Sequence, residues 1–255
     1  SMAFQENNFS IGLDVNTFSI NNIGLVNNLA SISYIYKIQL SNYTFFLPSV
    51  SIGLGSINVD VSNLLFEDQI LTQGLGYTVT SSKDALAPLI SGVNYMDLGA
   101  SFLVHSEEFM VGLTLKHLNK PNVSFNKESD VVKPIQIGIQ GGYEFNINPY
   151  ERRFLPRYSY LFTFANIVKY GEAIYIGLAQ DFQLGEFSIG LTQQAGSVQS
   201  FGLNNVGMTM GLAFENFDFG LHYNFPFRKP GTVYSPSMFE ISVIFDFSIY
   251  RRNNR

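Results

Sequence analysis

Apolar and polar residues alternate along the chain with a period of two, in about twelve separate runs. Phe9, Ile11, Leu13 and Val15 make the first run, Ile32, Tyr34, Tyr36, Ile38 and Leu40 the second, and Val50, Ile52 and Leu54 the third. Met96, Leu98, Ala100 and Phe102 follow, then Phe109, Val111, Leu113 and Leu115, then Ile135, Ile137, Ile139 and Tyr143. The seventh to ninth runs are Tyr158, Tyr160, Phe162 and Phe164; Ile174, Ile176 and Leu178; and Phe187, Ile189 and Leu191. Val206 to Phe214, Phe217 to Phe225 and Phe239 to Phe247 repeat the pattern three more times. Successive strand side chains point to opposite faces, so each run predicts a strand with one apolar face.

A soluble sandwich and a membrane barrel share that alternation, and three features separate them. Many runs last about nine to eleven residues, enough to cross a bilayer when tilted, against roughly five or six in soluble sheets. The opposite face is small and mostly uncharged, as in Gly99 and Ser101, Gly112 and Thr114, and Gln136, Gly138 and Gln140. Single charges at Asp14, Asp97, Lys116, Asp181, Asp218 and Glu240 share it, which suits a barrel interior. Aromatic residues gather towards strand ends, at Tyr143, Phe145, Tyr158, Phe182, Phe214 and Phe217, where an interfacial girdle belongs. The pattern predicts an all-β, antiparallel transmembrane β-barrel with about twelve visible strands, forming a single domain over residues 1–255.

Connection lengths sharpen the picture. Residues 17–29, 62–93, 118–133, 195–204 and 227–237 read as long loops. Leu40–Thr44, His105–Glu107, Gln183–Gly185 and Glu215–Asn216 read as tight turns, Asn146–Pro156 as intermediate, and Val168–Glu172 as a short exception. Long loops on one side and short turns on the other are the habit of outer-membrane barrels and place both chain ends in the periplasm. Within loop 62–93, Val61–Asp68 has the capped start of a short helix.

Composition narrows the classes. Only 14% of residues are charged, against roughly 25% in ordinary soluble proteins. Mean hydropathy is +0.11, and no stretch approaches the roughly 20 apolar residues of a membrane helix. A net charge of −5 argues against nucleic acid, and Arg251, Arg252 and Arg255 read as a solvated tail. The chain has no cysteine, which removes thiol and zinc-thiolate chemistry. It opens Ser1-Met2, which reads as a cloning scar or trimmed start, so the missing signal peptide does not argue for the cytoplasm.

Catalytic patterns are scarce. His105, His117 and His222 form no His-Glu-x-x-His frame, and Gly53-Leu54-Gly55-Ser56 is not a nucleophile elbow. No cofactor or metal site is expected. His222 with Asp218 and Glu240 could imitate a barrel hydrolase, but mutual satisfaction of inward side chains is the simpler reading. Glycines at 12, 99, 112, 138, 177, 190, 211 and 220 fall in mid-strand on the polar face. They either relieve crowding and permit curvature or leave room for an inserted segment.

One stretch carries a resemblance. Met110-Val-Gly-Leu-Thr-Leu-Lys-His-Leu-Asn-Lys-Pro-Asn122 is similar to the PorP/SprF family of type IX secretion outer-membrane proteins of Bacteroidota, in which a Gly-Leu core runs into a His-Leu pair and then Pro-Asn. Gly112, Leu113, His117, Leu118, Pro121 and Asn122 occupy those positions, and Tyr95-Met-Asp-Leu-Gly99 and Phe239-Glu-Ile-Ser242 also resemble the family. The family's His-Glu start of the last strand is absent, since position 239 is Phe, and its Asn-Pro-Ala element has no counterpart before Phe9. Members are longer at that end, which implies about fourteen strands in an intact barrel and a missing N-terminal hairpin here. The resemblance implies a non-enzymatic outer-membrane barrel in the secretion and gliding machinery. Its partners would be outer-membrane lipid, and a secreted protein with a C-terminal sorting domain or other secretion components. A passive porin is the alternative. His117 is expected to bind loop backbone at the rim and position residues 118–133.

Overall fold

The computed structural model describes residues 2–4, 8–20, 24–59, 70–73, 76–79, 92–125, 130–150, 153–157, 159–197, 201–214, 216–227 and 237–245. Every regular element among them is a strand. In chain order these are β1 (Met2–Phe4), β2 (Phe9–Ile20), β3 (Leu25–Tyr36), β4 (Ile38–Gln39), β5 (Phe45–Val59), β6 (Ile70–Gln73), β7 (Gly76–Val79) and β8 (Val93–His105). There follow β9 (Phe109–Lys116), β10 (Gln136–Asn146), β11 (Ser159–Tyr170), β12 (Ala173–Leu184), β13 (Phe187–Ser197), β14 (Phe201–Phe214), β15 (Phe217–Pro226) and β16 (Met238–Phe245).

The main sheet runs β1-β2-β3-β5-β8-β9-β10-β11-β12-β13-β14-β15-β16, with the short β4 on β5, and β6 and β7 form their own hairpin. Sequence neighbours lie side by side, the meander from which transmembrane barrels are made. Each of the twelve alternating runs falls, over most of its described residues, on a strand of this path, with Ile38 on β4, and β1 adds a thirteenth strand. Contacts divide the chain into two compact units. The first holds Ser1–Leu40, Phe46–Phe102 and Thr114–Gln136, and the second Ser41–Phe45, Leu103–Leu113 and Ile137–Arg255.

Burial is inverted relative to a soluble domain. Apart from glycines and Pro121, the buried described residues are Tyr95, Asp97, His117, Asn148, Ser159, Asn205 and Asn224. Large apolar side chains lie exposed along nearly every strand. A water-soluble fold would reverse this arrangement, whereas a sheet whose outer face meets lipid requires it. On β15, Phe217, Phe219, Leu221, Tyr223 and Phe225 are all exposed, while Asn224 is 1% exposed. Girdle rings meet at the turn ends, with Phe217 and Phe245 centroids 4.5 Å apart and Tyr143 and Phe145 4.6 Å apart.

One strand departs from the expected facing. Tyr160 and Phe162 on β11 line an inner cavity with Asp181, and Phe162 is the cross-strand partner of Asp181. The aromatic face of β11 therefore points inward, and Leu161, Thr163, Ala165 and Ile167 form the outer face. The cause is space: a side chain at Gly142 would come within 2.8 Å of the Phe162 ring, so the glycine makes the pocket that the ring fills. Tyr158 lies outside the described residues.

Two expected loops are mostly strand. β2 extends to Ile20 and β3 begins at Leu25, so most of 17–29 is paired, including Thr17 with Asn28 and Phe18 with Asn27. Likewise β13 reaches Ser197 and β14 starts at Phe201, with a bulge at Gln194/Ala195. Polar residues there obscured strands that continue past the apolar band. The remaining long connections are 60–92, which carries the β6–β7 hairpin, 117–135 and 227–237. The expected helix at Val61–Asp68 lies outside the described residues.

The inner-face glycines are explained by neighbouring side chains. A Cβ at Gly190 would collide with Asp181 and Thr209, which hydrogen-bond to each other across it. One at Gly207 would meet Asn224, Thr192 and His222, and one at Gly112 would press on Gln140. Relief of crowding is the reading that holds at these positions.

Leu221→Arg should destabilise the folded protein by about 2–4 kcal/mol if this residue lies near mid-bilayer. Urea unfolding in lipid vesicles measures it, and a variant as stable as wild type would contradict the facing of β15.

Candidate functional site

The best-built site in the first unit is the start of connection 117–135, held to β8. β9 ends at Lys116, and the next residue, His117, has φ +59°, a left-handed conformation that costs energy for a residue with a Cβ. Asp97 compensates. Its Oδ1 accepts the His117 backbone N–H at 3.1 Å and the ring Nδ1–H at 3.0 Å, and Oδ2 lies 2.9 Å from Nδ1. Both residues are buried. An ionised carboxylate only accepts, so the contact places the ring proton on Nδ1.

Asn119 fastens the next turn. Its amide donates to Met96 O at 2.7 Å and its carbonyl accepts from Leu98 N at 3.0 Å, while Leu118 N donates to Leu98 O at 2.9 Å. Lys120, at φ +45°, returns its N–H to His117 O. The segment then doubles back as a short ladder. Val123 N donates to Val131 O, Lys133 N to Pro121 O, and the Asn122 amide to Asp130 at 2.8 Å. Lys133 Nζ donates to Tyr95 Oη at 2.7 Å and lies 4.0 Å from its ring centroid. Tyr95 Oη in turn donates to Asn27 on β3 at 3.3 Å. Gly55 makes this possible, because any side chain there would overlap the Tyr95 ring.

The residues singled out by resemblance fall into two groups. His117, Leu118, Pro121 and Asn122 belong to this clamp in the first unit, with Pro121 buried and Leu118 exposed. Gly112 and Leu113 lie on β9 in the second unit, where Gly112 admits Gln140. His117 was expected to bind loop backbone. Its ring binds a carboxylate on the neighbouring strand, and Asn119 bonds to the backbone of that strand.

The second unit has an inner-face cavity of about 600 Å³. One register row crosses it: Phe162, Asp181, Gly190, Thr209, His222 and Glu240. Glu144, Asp218 and Tyr160 also line it. His222 Nε2 lies 3.1 Å from Thr192 Oγ1, and Asp181 accepts from Thr209. His222 and Glu240 are thus opposite one another, as suspected for a barrel hydrolase, but the hydroxyl bonded to the ring is a threonine on the inner wall.

Residues 1–245 match the family described as Type IX secretion system membrane protein PorP/SprF. The chain belongs to the PorP/SprF family. Search of the curated proteins found no match. Membership makes the PorP/SprF chain a membrane protein of the type IX secretion system, a family of secretion components rather than a known enzyme family.

Sequence reasoning missed Tyr95, Asp97, Asn119 and Lys133 as parts of the PorP/SprF clamp. A polar residue two places after His117 and a Tyr-x-Asp pair on β8 were the available signals, but only pairing of the strands joins them.

In this PorP/SprF chain, Asp97→Ala removes the carboxylate that accepts from the His117 backbone and ring, and should cost about 1–3 kcal/mol. Tyr95→Phe should cost about 1 kcal/mol and act locally. Hydrogen exchange should show faster exchange at residues 118–125 and 130–133 with strand protection retained. Unchanged loop protection in both variants would refute the clamp.

Proposed function

We propose that this chain is a single outer-membrane barrel domain that binds or anchors a secreted protein bearing a C-terminal sorting domain, together with other secretion components, and performs no catalysis itself. The observation that carries the reading is the clamp. Connection 117–135 is tied to β8 through Asp97–His117, Asn119 and Lys133–Tyr95. A loop held in one conformation loses less entropy when a partner binds, so fixing it favours docking. Antiparallel alternation in the first unit puts connections 60–92 and 117–135 at the same strand ends, the extracellular ones in this reading. The motif positions Gly112, Leu113, His117, Leu118, Pro121 and Asn122 serve structure here, placing the docking loop and its supporting strand.

The porin alternative draws on the inner cavity lined by Glu144, Asp181, Asp218 and Glu240. The two readings separate in one experiment. Replacing residues 122–132 with a short flexible linker, or shortening connection 60–92, should leave a heat-stable inserted protein but release a secreted protein from the cell surface into the medium. Large open-channel currents in planar bilayers with normal surface retention would defeat the anchoring reading.

A further inference from the structure

Among the described residues, the outer face of the second unit breaks its apolar pattern in mid-strand on β12 and β13. On β12 the outward residues are Ile174, Ile176, Leu178, Gln180, Phe182 and Leu184. On β13 they are Phe187, Ile189, Leu191, Gln193, Ala195 and Ser197. Gln180 is paired with Leu191 and Leu178 with Gln193, so the two glutamines occupy the two middle rows of six. The same rows on β14 and β15 carry Met208 and Val206, and Tyr223 and Phe225. The interruption is therefore confined to β11–β13 and lies far from either turn.

The two amides hydrogen-bond to each other across the strands, Gln193 Nε2 to Gln180 Oε1 at 3.0 Å. Whichever amide donates, the pair ends in one unused amino group and one unused carbonyl oxygen. Hydrocarbon can satisfy neither, and polar groups on a lipid-facing surface are costly unless something meets them. Beside them stand small residues. Thr163 is opposite Gln180, and Ala165 is opposite Leu178 in the next row. Small side chains allow a second wall to approach closely.

We propose that this patch is a membrane-embedded contact between two copies of this chain. The chemistry favours a second copy because the pair is its own complement. Turned about a twofold axis, the unused amino group of one pair meets the unused carbonyl of the other and closes a ring of four amides. An isologous contact demands this self-complementarity. The patch carries no charge, so it has no ionic attraction for a headgroup. The inference is independent of the docking loop, which involves different strands and the other unit.

The chain has no cysteine, so single cysteines report proximity cleanly. Ala165→Cys in native membranes should form an oxidised species of twice the monomer mass, whereas Met210→Cys, on the outer face away from the glutamines, should remain monomeric. Adding Gln180→Leu and Gln193→Leu should raise the dimer dissociation constant in lipid discs about tenfold, the loss expected for two intermolecular amide bonds in a membrane. Heat-modifiable gel migration establishes folding in each case, and Ala195→Cys is the second reporter if Ala165→Cys folds poorly. Cross-linking of folded protein mainly to a species of another mass, persistence of the monomer with both reporters, or a dimer indifferent to loss of both glutamines would each overturn the proposal.

Discussion

Backbone amide and carbonyl groups cannot be left unpaired in hydrocarbon, and the rest of this structure depends on that constraint. Strands meet that demand by hydrogen-bonding to one another. Antiparallel neighbours do so along the full path from β1 to β16. Once the backbone is committed to strands, each side chain has two destinations. That choice produces the exposed Leu221 and the buried Asn224 only three residues apart.

The inner face then becomes a problem of room. Side chains from adjacent strands project into the same space, and glycines decide which of them fit. Gly190 lets Asp181 reach Thr209, Gly142 accepts the Phe162 ring, and Gly55 seats Tyr95. The last of these matters beyond packing, because the Tyr95 hydroxyl is where Lys133 attaches. A missing side chain on β5 thus helps determine where the connection after β9 lies.

The clamp concentrates backbone conformations that L residues adopt reluctantly, at His117 and Lys120, beside a buried carboxylate. Such conformations persist only when neighbouring bonds over-determine them. Here the bonds are Asp97 to both the backbone and ring of His117, and Asn119 to both sides of Met96–Leu98. In the anchoring role proposed above, a connection held this firmly would offer a partner a surface that does not need to be ordered on arrival.

The sequence by itself determined the strands and, outside β11, their two faces, because period two, strand length and the uncharged opposite face all follow from a strand crossing lipid; the family was legible in the motif from Met110 to Asn122. It also located the clamp segment through His117, Pro121 and Asn122. It misjudged where polar residues continue a strand, as at Asn27–Asn28 and Gln194–Asn205, because alternation is legible only where one face is apolar. It misread β11 because aromatic residues suit either lipid or a glycine-made inner pocket, and local pattern contains no information about which neighbour lacks a side chain. Tertiary structure alone joined Asp97 to His117 and Tyr95 to Lys133. Residues 20 and 38 places apart meet there through strand register and the return of a connection, neither of which a one-dimensional pattern specifies.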